Sequence, residues 1–173
     1  MTPLQRSRVG ATAFFAVNGI ALFAVWPRLG QIQVDLGLDD AGLGIVLAVG
    51  TVGGLLVGPL AAPLIHRWNA ISVASVAGLL SLPPLVFLGW AGTPIVFALA
   101  LGLVLAADAV MDSAMNTRAL EVEVVYGRSI INGFHAWWSL GAIIGAALGS
   151  LSILIGLALE VLVRHGIHPL ETG

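Results

Sequence analysis

The sequence predicts an all-α membrane protein with five transmembrane helices, on the basis of its composition, its long apolar segments and its arginine placement. Hydrophobic residues make up 58% of the 173 residues, charged residues make up 9%, and the mean hydropathy is +1.02. Soluble domains usually contain about 45–50% apolar and about 25% charged residues. So many apolar residues cannot all be buried in a soluble globule of this length. We therefore expect one transmembrane domain, residues 1–173, that is surrounded by lipid.

Five apolar segments have the length of membrane-spanning helices. They cover approximately residues 9–27, 41–65, 70–90, 94–112 and 134–163. A helix needs about 20 apolar residues to cross a hydrocarbon core about 30 Å thick. The fifth segment is longer, which predicts a tilt or an extension into the interface. The first segment fits a retained signal anchor better than a cleaved signal peptide, because Asn18 interrupts it and further spans follow.

Capping residues indicate where two of these helices begin. Asp39 and Asp40 precede the second segment, where a carboxylate can accept backbone N–H groups and favour the helix dipole. Thr93 followed by Pro94 is typical of an N-cap with proline at the first helical position. Both helices are therefore expected to begin at these residues.

Two features predict where the third and fourth helices end. Pro83 and Pro84 should kink or end the third helix, because proline lacks the N–H that the helix needs. The fourth segment is followed by a loop at about 113–133, expected on the cytoplasmic side. Alternatively, its helix continues through "TRALEVEVVY" and stops at Gly127.

Arginine placement predicts the orientation of the chain, since cytoplasmic loops carry an excess of basic residues. With the N-terminus in the cytoplasm, five arginines lie inside (Arg6, Arg8, Arg67, Arg118 and Arg128) and two lie outside (Arg28 and Arg164). All seven basic residues are arginine, which is typical of GC-rich bacterial genomes. We therefore expect a multi-pass protein of a bacterial inner (plasma) membrane, with its C-terminus outside.

The sequence gives no indication of several other function classes. The net charge is −2 and there is no basic patch, so nucleic-acid binding is not expected. There is no cysteine, which excludes disulfides and Cys-based metal sites, and we expect no metal or other cofactor. Motifs such as HExxH, GxSxG and a glycine-rich phosphate loop are absent, so the chain is not expected to be an enzyme.

Two segments carry glycine at a spacing of four residues. These glycines are Gly50, Gly54 and Gly58 in the second segment and Gly141, Gly145 and Gly149 in the fifth. The spacing places each set on one stripe of its helix, against which another backbone can pack closely. The partner is either another helix of the same bundle or a second bundle.

Two carboxylates and an amide share one face of the fourth segment, where Asp108, Asp112 and Asn116 stand four residues apart. A carboxylate at the centre of a membrane helix costs about 2.5–3.5 kcal/mol on insertion scales, and such residues usually face a bundle interior or a cavity. Asp108 lies about 21 Å along the helix from Pro94, in the inner half of the membrane, and Asp112 lies near the inner interface.

Two interpretations of this face remain open. In one, Asp112 and Asn116 are hydrated or paired locally, and only Asp108 is buried. In the other, the group forms a proton or substrate site, because neighbouring carboxylates repel when both are charged and one of them can then carry a proton through a transport cycle.

Asn18 and His135 are weaker candidates for the same site. Asn18 lies midway along the first segment, and an unpaired amide is costly in lipid, so it should face other helices. It either bonds to them structurally or lines a cavity. His135 stands at the start of the fifth segment beside Trp137 and Trp138, a position that fits an interfacial residue or a proton relay.

Two stretches of sequence carry a family resemblance. They are "FFAVNGIALFAVWPRLGQIQVDLGLDDAGLG" and "MDSAMNTRALEVEVVYGRSIINGFHAWWSLGAIIGAALG". They resemble the N-terminal half of a major facilitator superfamily (MFS) transporter of the sugar- and fucose-permease-like branch. The resemblance implies most of a six-helix bundle and the transport of a small polar solute, such as a sugar, by alternating access. It also implies proton symport through Asp112, with Asn116 beside it.

The sequence departs from the family pattern at two places. The stretch "GPLAAPLIHRWNAIS" keeps Arg67 but lacks the acidic residue, the glycine and the trailing arginines of the family's loop motif, which helps to latch the conformational states in that family. The five segments also fall short of the six helices of such a half and the twelve of the whole transporter. We therefore interpret the chain as truncated, with a missing C-terminal half or another copy as its partner.

The family's second and fifth helices line the interface between halves, so the resemblance implies that both glycine stripes face that interface. Two other interpretations remain. The chain could be a membrane interaction protein that regulates a transporter and oligomerises through these stripes. It could also be an inactive remnant of a truncated gene.

Overall fold

A computed structural model describes the backbone of residues 1–166 and the side chains of residues 1–156. Arg164, one of the two arginines expected outside, and the C-terminus lie outside the described side chains. Within the described part the chain forms helices and turns and no strand, which confirms the all-α class. Five helical stretches are long and apolar enough to cross a membrane.

The five spans contain seven α-helices. The first span consists of α1 (Pro3–Phe23), a 3-10 turn (Trp26–Arg28) and α2 (Leu29–Asp35). The second consists of α3 (Asp40–Val57), a 3-10 turn (Gly58–Leu60) and α4 (Ala61–Trp68). The third, fourth and fifth spans are α5 (Ala70–Leu88), α6 (Pro94–Tyr126) and α7 (Ile131–Gly166).

Proline acts differently in the different spans. Pro27 and Pro59 lie in the 3-10 turns that interrupt the first two spans, where the missing N–H breaks the α-helical pattern. Pro83 and Pro84 lie inside α5, which continues to Leu88 and does not end at them as one alternative expected. Membrane helices tolerate proline because neighbouring groups can bond to the carbonyls that lose their partners. Lipid also offers no hydrogen bonds to an unwound backbone, so the helix is favoured.

The expected N-caps are confirmed. Asp39 accepts the N–H of Gly42 at 2.7 Å at the start of α3. Thr93 accepts the N–H of Val96 at 3.3 Å at the start of α6.

The fourth helix is longer than its apolar segment. It runs through residues 113–126 of the range expected as a loop and ends at Gly127, whose φ of 65° lies in the left-handed region that favours glycine. Hydropathy stops the segment near 112 because polar residues follow, but a helix continues through polar residues once it leaves the lipid.

The long helix α6 organises the bundle. It packs extensively against α3 and α5 and more narrowly against α1 and α4. The fifth span, α7, packs mainly against α1 and makes little contact with α6. Buried apolar clusters follow the length of α6, centred on Phe97 and Leu101, on Met111 and Ala114, and on Met115 with Phe15 and Phe134.

Both glycine stripes lie at contacts inside this chain. A Cβ at Gly141, Gly145 or Gly149 would meet the carbonyl oxygen of Ala16, Ile20 or Ala24 of α1, respectively. On α3, Gly50 faces the side chain of Leu101, Gly54 the backbone of Leu105, and Gly58 the Cβ of Ala109. This corrects the implication that the stripes face a second bundle, because helices of the same bundle already occupy them.

Candidate functional site

A polar network joins α1, α6 and α7. The amide Nδ2 of Asn18 donates to Oδ1 of Asp108 at 2.6 Å, and the indole Nε1 of Trp138 donates to Oδ1 of Asn18 at 2.8 Å. Asn18 is only 4% exposed, and its amide also contacts the sulfur of Met111 at 3.7 Å. The expectation that Asn18 faces other helices is therefore confirmed, and both ends of its amide have partners.

Close backbone packing brings Trp138 within reach of Asn18. A Cβ at Gly19 would meet the carbonyl oxygen of Trp138, and the Gly141 contact described above lies on the other side of Asn18. Glycine at both places lets α7 approach α1 closely. The ring of Phe23 packs edge-on against Trp138 at a centroid distance of 5.4 Å, which holds the indole in this position.

Asp108 lies at a groove between α1, α5 and α6. The groove has a volume of about 570 Å³, and its lining is mainly apolar. Its polar lining residues are Asn18, Ser75, Ser81 and Asp108. The carboxylate of Asp108 therefore bonds to a buried amide and also borders an open space.

Asp112 stands in a different environment. It is exposed, and the amide of Asn116 donates to its Oδ1 at 3.1 Å and to its backbone carbonyl at 2.9 Å. These bonds lie within one turn of α6, as the local-pairing interpretation expected. The spacing of four residues thus does not bring Asp108 and Asp112 onto a shared set of partners.

His135 lies near Asp112 at the start of α7. It is exposed, its ring meets Phe15 edge-on at 5.2 Å, and it is close enough to Asp112 for an electrostatic interaction between the two side chains. Asp112, Asn116 and His135 thus form a polar cluster between α6 and α7, in which Asp112 and His135 are exposed and Asn116 is half-buried. Asn18 and Asp108 belong to the separate network with Trp138.

Sequence reasoning missed two polar contacts. The indole N–H of Trp138 donates to the buried amide of Asn18, a contact that no local sequence pattern indicates. Glu123 accepts the N–H groups of Ile130 and Ile131 at 2.7 Å each, which caps the start of α7. A capping carboxylate usually stands within a few residues of the helix that it caps. Glu123 precedes α7 by a longer stretch that contains the turn at Gly127, so its sequence position did not indicate the cap.

A metal site is not formed by the residues that the structure describes, since no group of three or more His, Cys, Asp or Glu side chains lies together among them.

Near the end of α6, Arg118 pairs with Glu121 at 2.7 Å and donates to Ser7 of α1 at 2.9 Å. These contacts connect α1 and α6 beyond the polar cluster.

Comparisons with known proteins give two relatives. No family model matches the chain, and no solved structure matches it significantly. An uncharacterized MFS-type transporter of Yersinia pestis is 35% identical over 158 residues, which cover 90% of this chain and 40% of the relative. An uncharacterized transporter of Sinorhizobium fredii is 34% identical over 143 residues, 83% of this chain and 38% of the relative.

The chain thus spans less than half the length of these relatives. This chain is therefore a multi-pass membrane protein. Most of its length is homologous to part of two proteins named as transporters, one of them of the MFS type.

Proposed function

We propose that this chain forms part of an MFS transporter that moves a small polar solute across a bacterial inner membrane. The observation that carries the proposal is its similarity, over 90% of its length, to a protein named as an MFS-type transporter. The five apolar spans support it. Transporters of this class alternate between two access states around a site near the membrane midplane, built where bundles meet.

We further propose a sugar as the solute and a proton as the coupling ion. The polar cluster of Asp112, Asn116 and His135 supports both, because carboxylate and amide groups bond well to hydroxyls and a carboxylate can bind and release a proton. The exposure of Asp112 leaves it accessible to solute and water. Asp108 acts in this proposal as a neighbour that influences the protonation of Asp112.

Transport by a chain of the relatives' length tests the proposal. We would join this chain to the remaining part of the Yersinia pestis relative, reconstitute it in vesicles and impose an inward proton gradient. Labelled sugars should accumulate in these vesicles. Asp112→Asn should abolish the accumulation and spare exchange of labelled for unlabelled sugar, because exchange needs no net proton movement.

The matched control is Asp40→Asn, which changes an exposed carboxylate that bonds to Gln33 at 2.9 Å, away from the cluster. This variant should accumulate sugar normally. Unchanged accumulation in Asp112→Asn would contradict the coupling role. Absence of transport for every sugar tested would contradict the solute class.

The other two interpretations are tested separately. Oligomerisation through the glycine stripes has lost its support, because α1 and α6 already occupy them. Native mass measurement in detergent would detect a regulatory complex formed through other faces. Sequencing the DNA next to the coding region tests the remnant interpretation, since a frameshifted continuation that encodes further helices would support it.

A further inference from the structure

We propose that Asn18 is a positioning residue that couples the charge state of Asp108 to the fifth span through Trp138. The inference rests on the transport function proposed above and adds a device to it. It assigns the link between α6 and α7 to three side chains, one on each of three helices.

Donor and acceptor chemistry fixes the direction of this network. The indole N–H of Trp138 can only donate, so the oxygen of the Asn18 amide must face α7. The amide nitrogen then faces Asp108, and an ionised carboxylate can only accept. The order Trp138 to Asn18 to Asp108 is therefore the one arrangement of the amide that satisfies all three groups.

A proton on Asp108 would change this arrangement. A hydrogen bond to an ionised carboxylate is roughly twice as strong as a neutral one, so neutralisation weakens the bond from Asn18. The new O–H also needs an acceptor, and the amide oxygen of Asn18 already accepts from Trp138. The O–H either shares that oxygen, which has two lone pairs, or turns into the groove. In both cases the bond from Asn18 to Asp108 is weaker, so the amide that accepts from Trp138 is held less firmly.

Few other charged groups surround Asp108. Asp112 lies one turn further along α6, where its charge interacts with that of Asp108, and His135 of α7 interacts with Asp112. On α5, Ser75 and Ser81 are the polar residues that line the groove.

His66 of α4 lines a separate cavity with Ser113 and Thr117. Among the side chains described at the groove, Asp108 is therefore the ionisable one, and its charge acts directly on Asn18.

The packing of α7 makes this link consequential. The helix α7 contacts α1 through its glycine stripe and makes little contact with α6. The two hydrogen bonds of Asn18 therefore form a specific polar connection between the carboxylate of Asp108 on α6 and the fifth span. Weakening it would allow α7 to shift relative to α6. In a transporter, such a shift would connect proton binding to a change of access.

Fluorescence of Trp138 tests the inference on this chain alone, without solute or gradient. The other four tryptophans would be replaced by phenylalanine, and the chain would be placed in lipid nanodiscs. Emission would be recorded from about pH 4 to about pH 9, a range that covers the titration of carboxyl and imidazole groups. The intensity should change in one sigmoidal step.

Variants assign the step to its cause. Asp108→Asn and Asn18→Leu should lose the pH-dependent change. Asp112→Asn and His135→Gln should keep it, since these residues lie outside the network. A step that survives in Asp108→Asn, or disappears in Asp112→Asn, would overturn the inference.

A second measurement covers the case in which Asn18→Leu does not fold, as judged by circular dichroism. The carboxyl stretching band of Asp108 would be followed against pH by infrared spectroscopy in the Asp112→Asn background, with and without Trp138→Phe. Removal of the indole N–H should shift the midpoint of Asp108 protonation, and an unchanged midpoint would overturn the inference. Neither result depends on transport, so a failure here is distinct from a failure of the proposed function.

Discussion

Asp108 and Asp112 show how strongly the partners of a residue depend on the helix opposite. They stand one turn apart on α6, yet Asp108 bonds to a buried amide of α1 and Asp112 bonds to Asn116 of its own helix. A charged group beside a buried amide is sensitive to any change of that amide, whereas an exposed, locally paired group is not. Substitutions at the two positions should therefore have separable effects.

Asn69 carries an unusual backbone conformation for a residue other than glycine. Its φ is 73° and its ψ is 156°, and its side chain accepts the N–H of Ser72 at 3.0 Å to cap α5. This backbone region is strained for L-residues, while glycine adopts it easily. Asn69 therefore combines a cap with local strain.

We predict that Asn69→Ala lowers the free energy of unfolding by about 1–2 kcal/mol, because the cap is lost and the strain stays. Asn69→Gly should cost less, since it loses the cap but relieves the strain. Thermal unfolding in detergent, followed by circular dichroism, would measure both, with the exposed Asn132→Ala as control. Equal losses in the alanine and glycine variants would contradict the strain argument.

Glu123 is a single residue on which the start of α7 depends. We predict that Glu123→Gln exposes the amides of Ile130 and Ile131 to faster hydrogen exchange, by about fivefold. The charge that favours the helix N-terminus is lost, while the shape of the side chain is kept. Glu121→Gln, which changes the partner of Arg118, is the control and should leave these two amides unaffected.

At the scale of elements, the contact between α1 and α7 depends on the absence of side chains. Three glycines of α7 and Gly19 of α1 bring the two backbones together, so apolar area contributes less here than close packing. In lipid, helix association comes from such packing and from interhelical hydrogen bonds. The polar network is therefore formed where the helices are closest.

We predict that Gly145→Ala destabilises the chain by about 1–3 kcal/mol, because the added methyl group would meet the carbonyl oxygen of Ile20. Gly156→Ala in the same helix is the matched control, since nothing lies within 4 Å of a Cβ there. Thermal unfolding of the two variants side by side would measure the difference. A loss of similar size in both variants would contradict the role of the α1 contact, since alanine has the higher helix propensity and should cost nothing at the open position of Gly156.

At the scale of the whole molecule, two helix pairs resemble each other. In one pair α7 places a glycine stripe on α1, and in the other α3 places a glycine stripe on α6. The contact between α1 and α6 joins the pairs. This arrangement explains why α6, which also packs against α5, contains much of the buried core.

An odd number of spans places the two ends of the chain on opposite sides of the membrane. With the N-terminus and its Arg6 and Arg8 in the cytoplasm, we predict that alkaline phosphatase fused to the C-terminus is active, because it reaches the outside. A fusion after residue 128, between α6 and α7, should be inactive. An inactive C-terminal fusion together with an active internal one would reverse the orientation, and equal activity at both would contradict five spans.

The sequence by itself determined the class, the number of spans and several helix ends. Apolar length sets the number of helices that lipid can accept, and the caps at Asp39, Thr93 and Gly127 depend on bonds between residues close in the chain. Such local interactions can be predicted from sequence, because the partners are already neighbours. The continuation of α5 through its prolines was decided instead by the surroundings of the helix.

Only the tertiary structure decided which helix faces each polar or glycine stripe. The pattern at Gly141, Gly145 and Gly149 is the same whether the partner is α1 or a second bundle. The spacing of Asp108 and Asp112 likewise does not reveal that Asn18 and Trp138 reach one of them and not the other. These partners lie about 90 or more residues apart in sequence, so their meeting depends on the packing of all the helices between them.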